Sequence, residues 1–290
     1  MELQGSQTEK NLWAAFAAES QARNRYGYFA DAARASGRPD VADVFEQLAA
    51  NEAEHAKREF ELLGGAGELR GNLERAIQGE RLEHEEIYPR FAHVARDEGF
   101  LEVADFFERM SKVEGAHERL CGELLDAVDG KTEFTGRTVL RSLTRMAQVT
   151  LPGQANPSGF VHGGELMKMV DNAAGVAAVR HSQRSVVLAR VADIQFHRPV
   201  RVGDLVLLEA RVTFVSRSSM EVTVELDSEW GGSGRRNRAV TATLIMVAQD
   251  KEGNAVEVPP LISSTEEQEK LYQEGKKRYE AYKTAKKTNE

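Results

Sequence analysis

Two glutamate–histidine pairs at a spacing of three, Glu52 with His55 and Glu114 with His117, are the first residues here that could do chemistry. On a helix that spacing puts both side chains on one face. Each pair follows a glutamate on an earlier segment: Glu19 stands 33 residues before Glu52 and Glu80 stands 34 before Glu114, with Glu83 three residues after Glu80. Carboxylate plus imidazole from two helices, and carboxylates from two others, is the donor set that holds a pair of iron or manganese ions inside a four-helix bundle. The carboxylates neutralise the two ions, and the imidazoles leave positions open for peroxide or dioxygen. A single such pair is commonly a solvated surface feature; two in register with further glutamates are not explained that way. A second pattern lies downstream. Gly163-Gly164 precedes a predicted helix, where first-turn amides are unsatisfied donors that suit an oxyanion. Asp171 follows Gly164 by seven residues, in a helix of Leu, Met, Val and Ala. An acid there is costly unless it is hydrogen-bonded or used. The alternative is that Asp171 pairs with a neighbour across a subunit contact.

The elements that must position these groups divide the 290 residues in two. Residues 8–129 are rich in Ala, Glu, Arg and Leu and predict four helices, at about 8–35, 39–63, 69–98 and 100–128, with Tyr88-Pro89 as a kink. After Gly130 come β-branched alternating segments such as DLVLLEARVTFVS and SMEVTVELDSEW. One helix interrupts them at about 163–182, apolar round most of its circumference, which suits a helix wrapped by a curved antiparallel sheet. The expected fold is therefore multidomain, an all-α four-helix bundle followed by an α+β domain. Its parts are a bundle at 1–130, a linker at 131–137, the sheet domain at 138–262 and a charged C-terminal helix at 263–290. With few apolar anchors, that last helix is expected to be peripheral or frayed.

Composition removes several classes. A single cysteine, Cys121, allows no internal disulfide, no four-cysteine metal site and no redox pair, and is expected to be a packed small apolar residue. The N-terminus has no basic start and apolar run, and the apolar stretch 173–179 is far shorter than the ~20 residues that cross a bilayer. A cytoplasmic protein without a membrane span is expected. Residues 1–130 hold 15 basic against 27 acidic residues and residues 131–290 hold 23 against 19. The acidic half repels nucleic acid, and the other is too weakly basic to bind it.

ESQARNRYGYFADAA, NEAEHAKREFELLG, GERLEHEEIYPRFAHVARDEGF and KVEGAHERL resemble the successive helices of rubrerythrin, a ferritin-like family, over roughly residues 8–128. The resemblance implies two iron ions, or manganese, held by Glu19, Glu52, His55, Glu80, Glu83, Glu114 and His117, with the hydroxyl of Tyr26 nearby. His84 and His93 fall outside that pattern and are expected to be surface or packing residues. The four-cysteine iron module that usually feeds electrons to this site cannot be built here, so reducing peroxide would require an external electron donor.

ANPSGFVHGGELMKMVDNAAGVAAVRHS, FHRPVRVGD, FVSRSSMEVTVEL and IMVAQDKEGNAVEVPPL resemble a hotdog-fold acyl-CoA thioesterase across 138–262. The resemblance implies an acyl-CoA substrate, with Asp171 as general base, Asn156 of the facing subunit positioning water or thioester, and the Gly164 amide polarising the carbonyl. Shared side chains would make the protein at least a dimer, and such enzymes commonly form hexamers. For coenzyme A the sequence offers Arg217, Ser218, Ser219 and Arg180, with Arg235, Arg236 and Arg238 in a hairpin; each arginine is also an ordinary loop charge. His162 and His197 fit the pattern as packing or loop-bonding residues. Two alternatives stand beside a thioesterase fused to a peroxide-reducing or peroxide-sensing bundle. One is a thioesterase with a purely structural bundle; the other is a di-iron oxidoreductase with a non-catalytic acyl-CoA-binding module.

Overall fold

The computed structural model of the chain describes residues 3–230 and 235–288; residues 231–234, part of the hairpin expected from the sequence, lie outside the described residues. Two compact units are present, Met1–Leu82 with Glu118–Asp129 and Glu83–His117 with Gly130–Glu290, the boundary cutting through two continuous helical stretches.

The first unit begins with α1 (Gln7–Ala35), whose Ser6 cap accepts from the Glu9 amide while the Glu9 carboxylate accepts from the Gly5 amide. That reciprocal arrangement satisfies two donors at the helix end. Gly37, at φ +72°, reverses the chain, and Pro39 opens α2 (Pro39–Leu62) where its missing N–H costs nothing. The two helices run antiparallel. Trp13 and Phe16 meet Phe60, Tyr26 and Phe29 meet Phe45, and Arg34 pairs with Glu46. Buried Ala30, Ala42 and Ala56 mark where the helices come close. Next is α3 (Leu69–Leu82), tied to the end of α5 (Leu101–Val128) by Arg70–Asp129 and Arg81–Glu118.

The second unit opens with a π-helical turn, Glu83–Ile87, then α4 (Tyr88–Asp97) and the start of α5. Its contacts repeat those of α1 and α2. Tyr88 and Phe91 pack on Phe107, Arg96 pairs with Glu108, Ala92 and Ala104 are buried, and Gly99 reverses the chain at φ +85°. Each of these residues lies 62 positions after its counterpart, as Glu114 and His117 do after Glu52 and His55. Glu80 lies only 61 after Glu19. The π turn between Glu80 and Tyr88 takes up the extra residue, since a π turn is one residue wider than an α turn. This is also the reason the glutamate spacings are 33 and 34. The long third helix expected at 69–98 is therefore interrupted by the π turn just before Pro89.

The rest of this unit is a five-stranded antiparallel sheet in the order β2-β4-β5-β6-β3, built from β2 (Thr144–Val149), β3 (Ser185–Phe196), β4 (Leu205–Val215), β5 (Ser219–Glu229) and β6 (Arg236–Gln249). The helix α7 (Gly163–Ser182) lies on one face. Its stripe of Ala173, Ala174, Ala177 and Ala178 lets Val206, Leu208, Val222, Val224 and Leu226 of the sheet approach closely, and all are buried in one core. A short helix α6 (Val139–Ser142) precedes β2. Two small strands, β1 (Arg137–Thr138) and β7 (Leu261–Ile262), pair in parallel where the chain enters and leaves the sheet.

The last helix, α8 (Glu266–Thr288), departs from expectation: it is docked, not frayed. Phe214 of β4 packs on Tyr272 and Tyr279, and Arg190 of β3 lies 4.1 Å from the ring centroid of Tyr282. Glu221 of β5, 2 % exposed, accepts two hydrogen bonds from Arg278, at 2.7 and 3.1 Å. Because side chains alternate along a strand and Met220 and Val222 face α7, Glu221 and α8 lie on the opposite face. Gly275 is required at the contact, where a Cβ would come within 2.6 Å of Phe214. Replacing Arg278 by methionine leaves the buried Glu221 carboxylate with the Thr213 hydroxyl but without its charged partner, and chemical denaturation is expected to show a loss of about 1–3 kcal/mol. Among the described residues no helix is long and apolar enough to cross a membrane.

Candidate functional site

On α1 and α2, Glu19, Glu52 and His55 converge, each offering a ligand atom within 4.8 Å of the others. His55 Nδ1 is 2.9 Å from Glu52 Oε2. The Glu52 carboxyl, sharing a hydrogen bond with Glu19, raises the Glu19 carboxyl above its usual range, with partial burial and Glu52's charge adding to it. Two acids this close need a shared proton or a cation between them. A second group, Glu80, Glu114 and His117, meets the same 4.8 Å limit. Glu114 is 7 % exposed, and its Oε2 lies 2.6 Å from His117 Nδ1. Both groups are two carboxylates and one imidazole, a donor set that fits iron or manganese.

Six of the seven expected ligands are thus gathered in two threes. Glu83 belongs to neither group; it is the first residue of the π turn. Tyr26 stacks on Phe45 as part of the aromatic contact between α1 and α2. His84 packs against Gly115, its Nδ1 2.8 Å from the Ser111 carbonyl, and exposed His93 pairs with Asp97. Burial, followed by the charge of Glu80, pushes the Cys121 thiol up, so it is not an activated nucleophile.

In the sheet domain, Asn156 sits in the loop before α7. Its Oδ1 accepts from the Ser158 and Phe160 amides at 2.9 and 3.1 Å, and its own amide donates to the Phe160 carbonyl at 2.7 Å. The loop is an Asx turn that Asn156 itself shapes. With Gly163, Leu166, Phe196 and His197 it lines an open depression of about 280 Å³ at the helix N-terminus. The Gly164 amide, expected to be a free donor, is engaged: it donates to His162 Nδ1 at 3.2 Å, with His162 as the N-cap. This capping histidine is a site feature that sequence reasoning treated only as a loop or packing residue. Asp171 lies two turns further along α7, partly exposed, with no hydrogen bond or ion pair among the described residues. The chain does not place Asp171 in the depression lined by Asn156.

The arginines separate into two kinds. Arg236 pairs with Glu229, and Arg238 with Glu225 and Asp227, so both serve cross-strand ion pairs. Arg180 donates to the Leu143 carbonyl at 2.8 Å. Arg217 is exposed in the β4–β5 turn and has no ion pair among the described residues. Its carbonyl accepts from Val258, and that of Ser218 from Ala248, which anchors the turn. Ser219 begins β5 beside Tyr279 and Tyr282 of α8, in a cavity on the face opposite α7. His197 Nε2 is 2.9 Å from Thr241 Oγ1.

Two family profiles match this chain: rubrerythrin over residues 10–71 and 71–167, and the thioesterase superfamily over 158–234. A rubrerythrin from Porphyromonas gingivalis is 42% identical over 145 residues, covering 46% of this chain and 72% of that protein. The crystal structure of an apo-hexameric acyl-CoA thioesterase is 33% identical with a TM-score of 0.50, covering 52% of this chain and 97% of that one. The chain belongs to both families, rubrerythrin first. The cytosolic acyl coenzyme A thioester hydrolase of Homo sapiens is 38% identical over 144 residues, which cover 49% of this chain and 38% of the human protein, so this chain spans well under half of that relative's length. In this rubrerythrin–thioesterase chain the rubrerythrin match runs beyond the last helix of the first half, which ends at Val128, into the sheet domain.

Proposed function

We propose that the second half hydrolyses acyl-CoA thioesters to a free carboxylic acid and coenzyme A, and that the first half binds two iron ions and reduces or senses peroxide. The domains are taken as a helical metal-binding domain at 1–130, a linker at 131–137, the hotdog domain at 138–262 and the C-terminal helix at 263–290. The observation that carries the thioesterase reading is Asp171, a partly exposed acid without a partner among the described residues, on a helix whose buried residues from Leu166 to Ala178 are all apolar. Such a carboxylate suits a general base. Asp171 takes a proton from water as the water oxygen bonds to the thioester carbon; the C–S bond breaks and the coenzyme A sulfur leaves with a proton.

A second copy completes this site. β3 is an edge strand with exposed Val187, Leu188 and Phe196, and α7 exposes Met167, Val176 and Val179. An apolar edge and helix stripe of this kind suit pairing with another protomer, which brings its own Asn156 towards Asp171. A dimer is the minimum, and the hexameric relative supports a hexamer. The Gly164 amide polarises the thioester carbonyl once His162 gives up its capping bond. Arg217, with Ser218 and Ser219, faces the coenzyme A phosphates, and Arg180 is a further candidate.

Glu19, Glu52, His55, Glu80, Glu114 and His117 hold the metals, with Glu83 able to join from the π turn. Iron held by these residues would supply redox chemistry, the reduction of one peroxide to two waters with two electrons and two protons, the electrons coming from an external donor. The human relative named cytosolic supports a cytoplasmic location. The testing experiment is hydrolysis of acyl-CoAs from acetyl to palmitoyl with metal content measured on the same protein. Turnover on one or more chain lengths is expected, and none on any would reject the thioesterase.

A further inference from the structure

His117 touches more than its neighbouring glutamate. While Nδ1 faces Glu114 at 2.6 Å, Nε2 lies 3.1 Å from the carbonyl oxygen of Ser264, in the turn that leads from β7 into α8. A carbonyl only accepts, so Nε2 donates its N–H there, and Nδ1 is the ring nitrogen that faces the carboxylate and would bind a metal. Histidines that bind metal characteristically donate their other N–H to a carbonyl or carboxylate, which fixes tautomer and ring orientation.

The Ser264 carbonyl is itself held by the first turn of α8. Gln268 Oε1 accepts from the Ser264 amide at 3.0 Å and from its hydroxyl at 3.2 Å, while the Gln268 amide donates to Thr265 Oγ1 at 3.2 Å. Eight residues before His117 on α5, Arg109 reaches Glu266 at 3.5 Å, a second fastening of the same turn. Beyond the turn, α8 is seated on the sheet by Arg278 and Glu221. His55, in the other group, has its side chain 61% exposed and faces Glu52.

We propose that the Ser264–Gln268 turn is the outer support of the metal ligand His117, so that a divalent ion at Glu114 and His117 and the seating of α8 on the hotdog sheet reinforce one another. Gln268 is then a positioning residue, acting through the Ser264 carbonyl. Linkage makes the effect reciprocal: whatever steadies the turn tightens the metal, and the metal steadies the turn by the same factor. The proposal rests on the metal reading of the first half.

The test uses the full-length chain and cobalt(II), whose visible spectrum reports its ligands, with hydrogen exchange followed at residues 264–269. Saturating cobalt is expected to slow exchange in that segment about tenfold or more. Gln268→Ala is expected to weaken cobalt binding by about 10–100-fold and to shift the spectrum. Gln268→Glu, which keeps an accepting oxygen, is expected to restore both. Arg109→Ala, which touches no ligand, should move binding in the same direction as Gln268→Ala. Cobalt that binds the wild type without changing exchange at 264–269, or binds Gln268→Ala as tightly as the wild type, overturns the coupling and leaves the metal site standing. A wild type that binds no cobalt overturns the metal reading and the coupling with it.

Discussion

Asp171→Asn is expected to lower kcat for acyl-CoA hydrolysis by about 10²–10⁴-fold, the range for losing a positioned general base, with little change in KM. Asparagine matches aspartate in shape, so the protomer contact that α7 contributes is kept and only the proton acceptor is lost. The measurement is steady-state release of the coenzyme A thiol, with oligomeric state checked by light scattering. The competing role, pairing with a neighbour across a subunit contact, makes the opposite forecast. A purely structural Asp171 would weaken assembly on substitution and leave turnover per assembled site near that of the wild type. The metal content of the variant should equal that of the wild type, because the residue lies in the sheet domain.

The second large effect is on metal. Wild-type protein is expected to bind two ions per chain, and Glu114→Ala to bind about one, read by elemental analysis after gel filtration. Glu114 is nearly buried beside His117, so its removal takes away both the anionic oxygen and the group that faces the imidazole. Metal at 100 times its dissociation constant stabilises the protein by about 2.7 kcal/mol per site, and the variant should lose about that much of the metal-induced rise in stability. An unchanged load of two would remove Glu114 from the ligand set.

Much of this was legible in the residues. The pairs Glu52–His55 and Glu114–His117 carried the metal groups, because three-residue spacing on a helix fixes a common face whatever surrounds it. The strands and the buried helix of the second half were legible because period-two alternation and an apolar helix are local signals. The features missed depend on what lies far away in the chain. The π turn has no compositional mark; its trace was the one-residue difference between the spacings 33 and 34, which has meaning only once the 62-residue repeat is seen. The docking of α8 rests on Gly275 and on Arg278 with Glu221, a contact that no hydrophobic period reports. The roles of Arg236 and Arg238 depended on strand register, which sets Glu229 and Asp227 opposite them.

The parallel pair β1 and β7 bears on the order in which the chain comes together. Leu261 pairs with Arg137 across 124 residues, so the first strand of the sheet domain finds its partner only after those residues have been made. At a synthesis rate of about 5–20 residues per second, that wait is about 6–25 s. The helices that carry the metal groups lie wholly upstream and have this interval to fold. The clasp closes after the five strands of the sheet have been made, and the turn that meets His117 follows it.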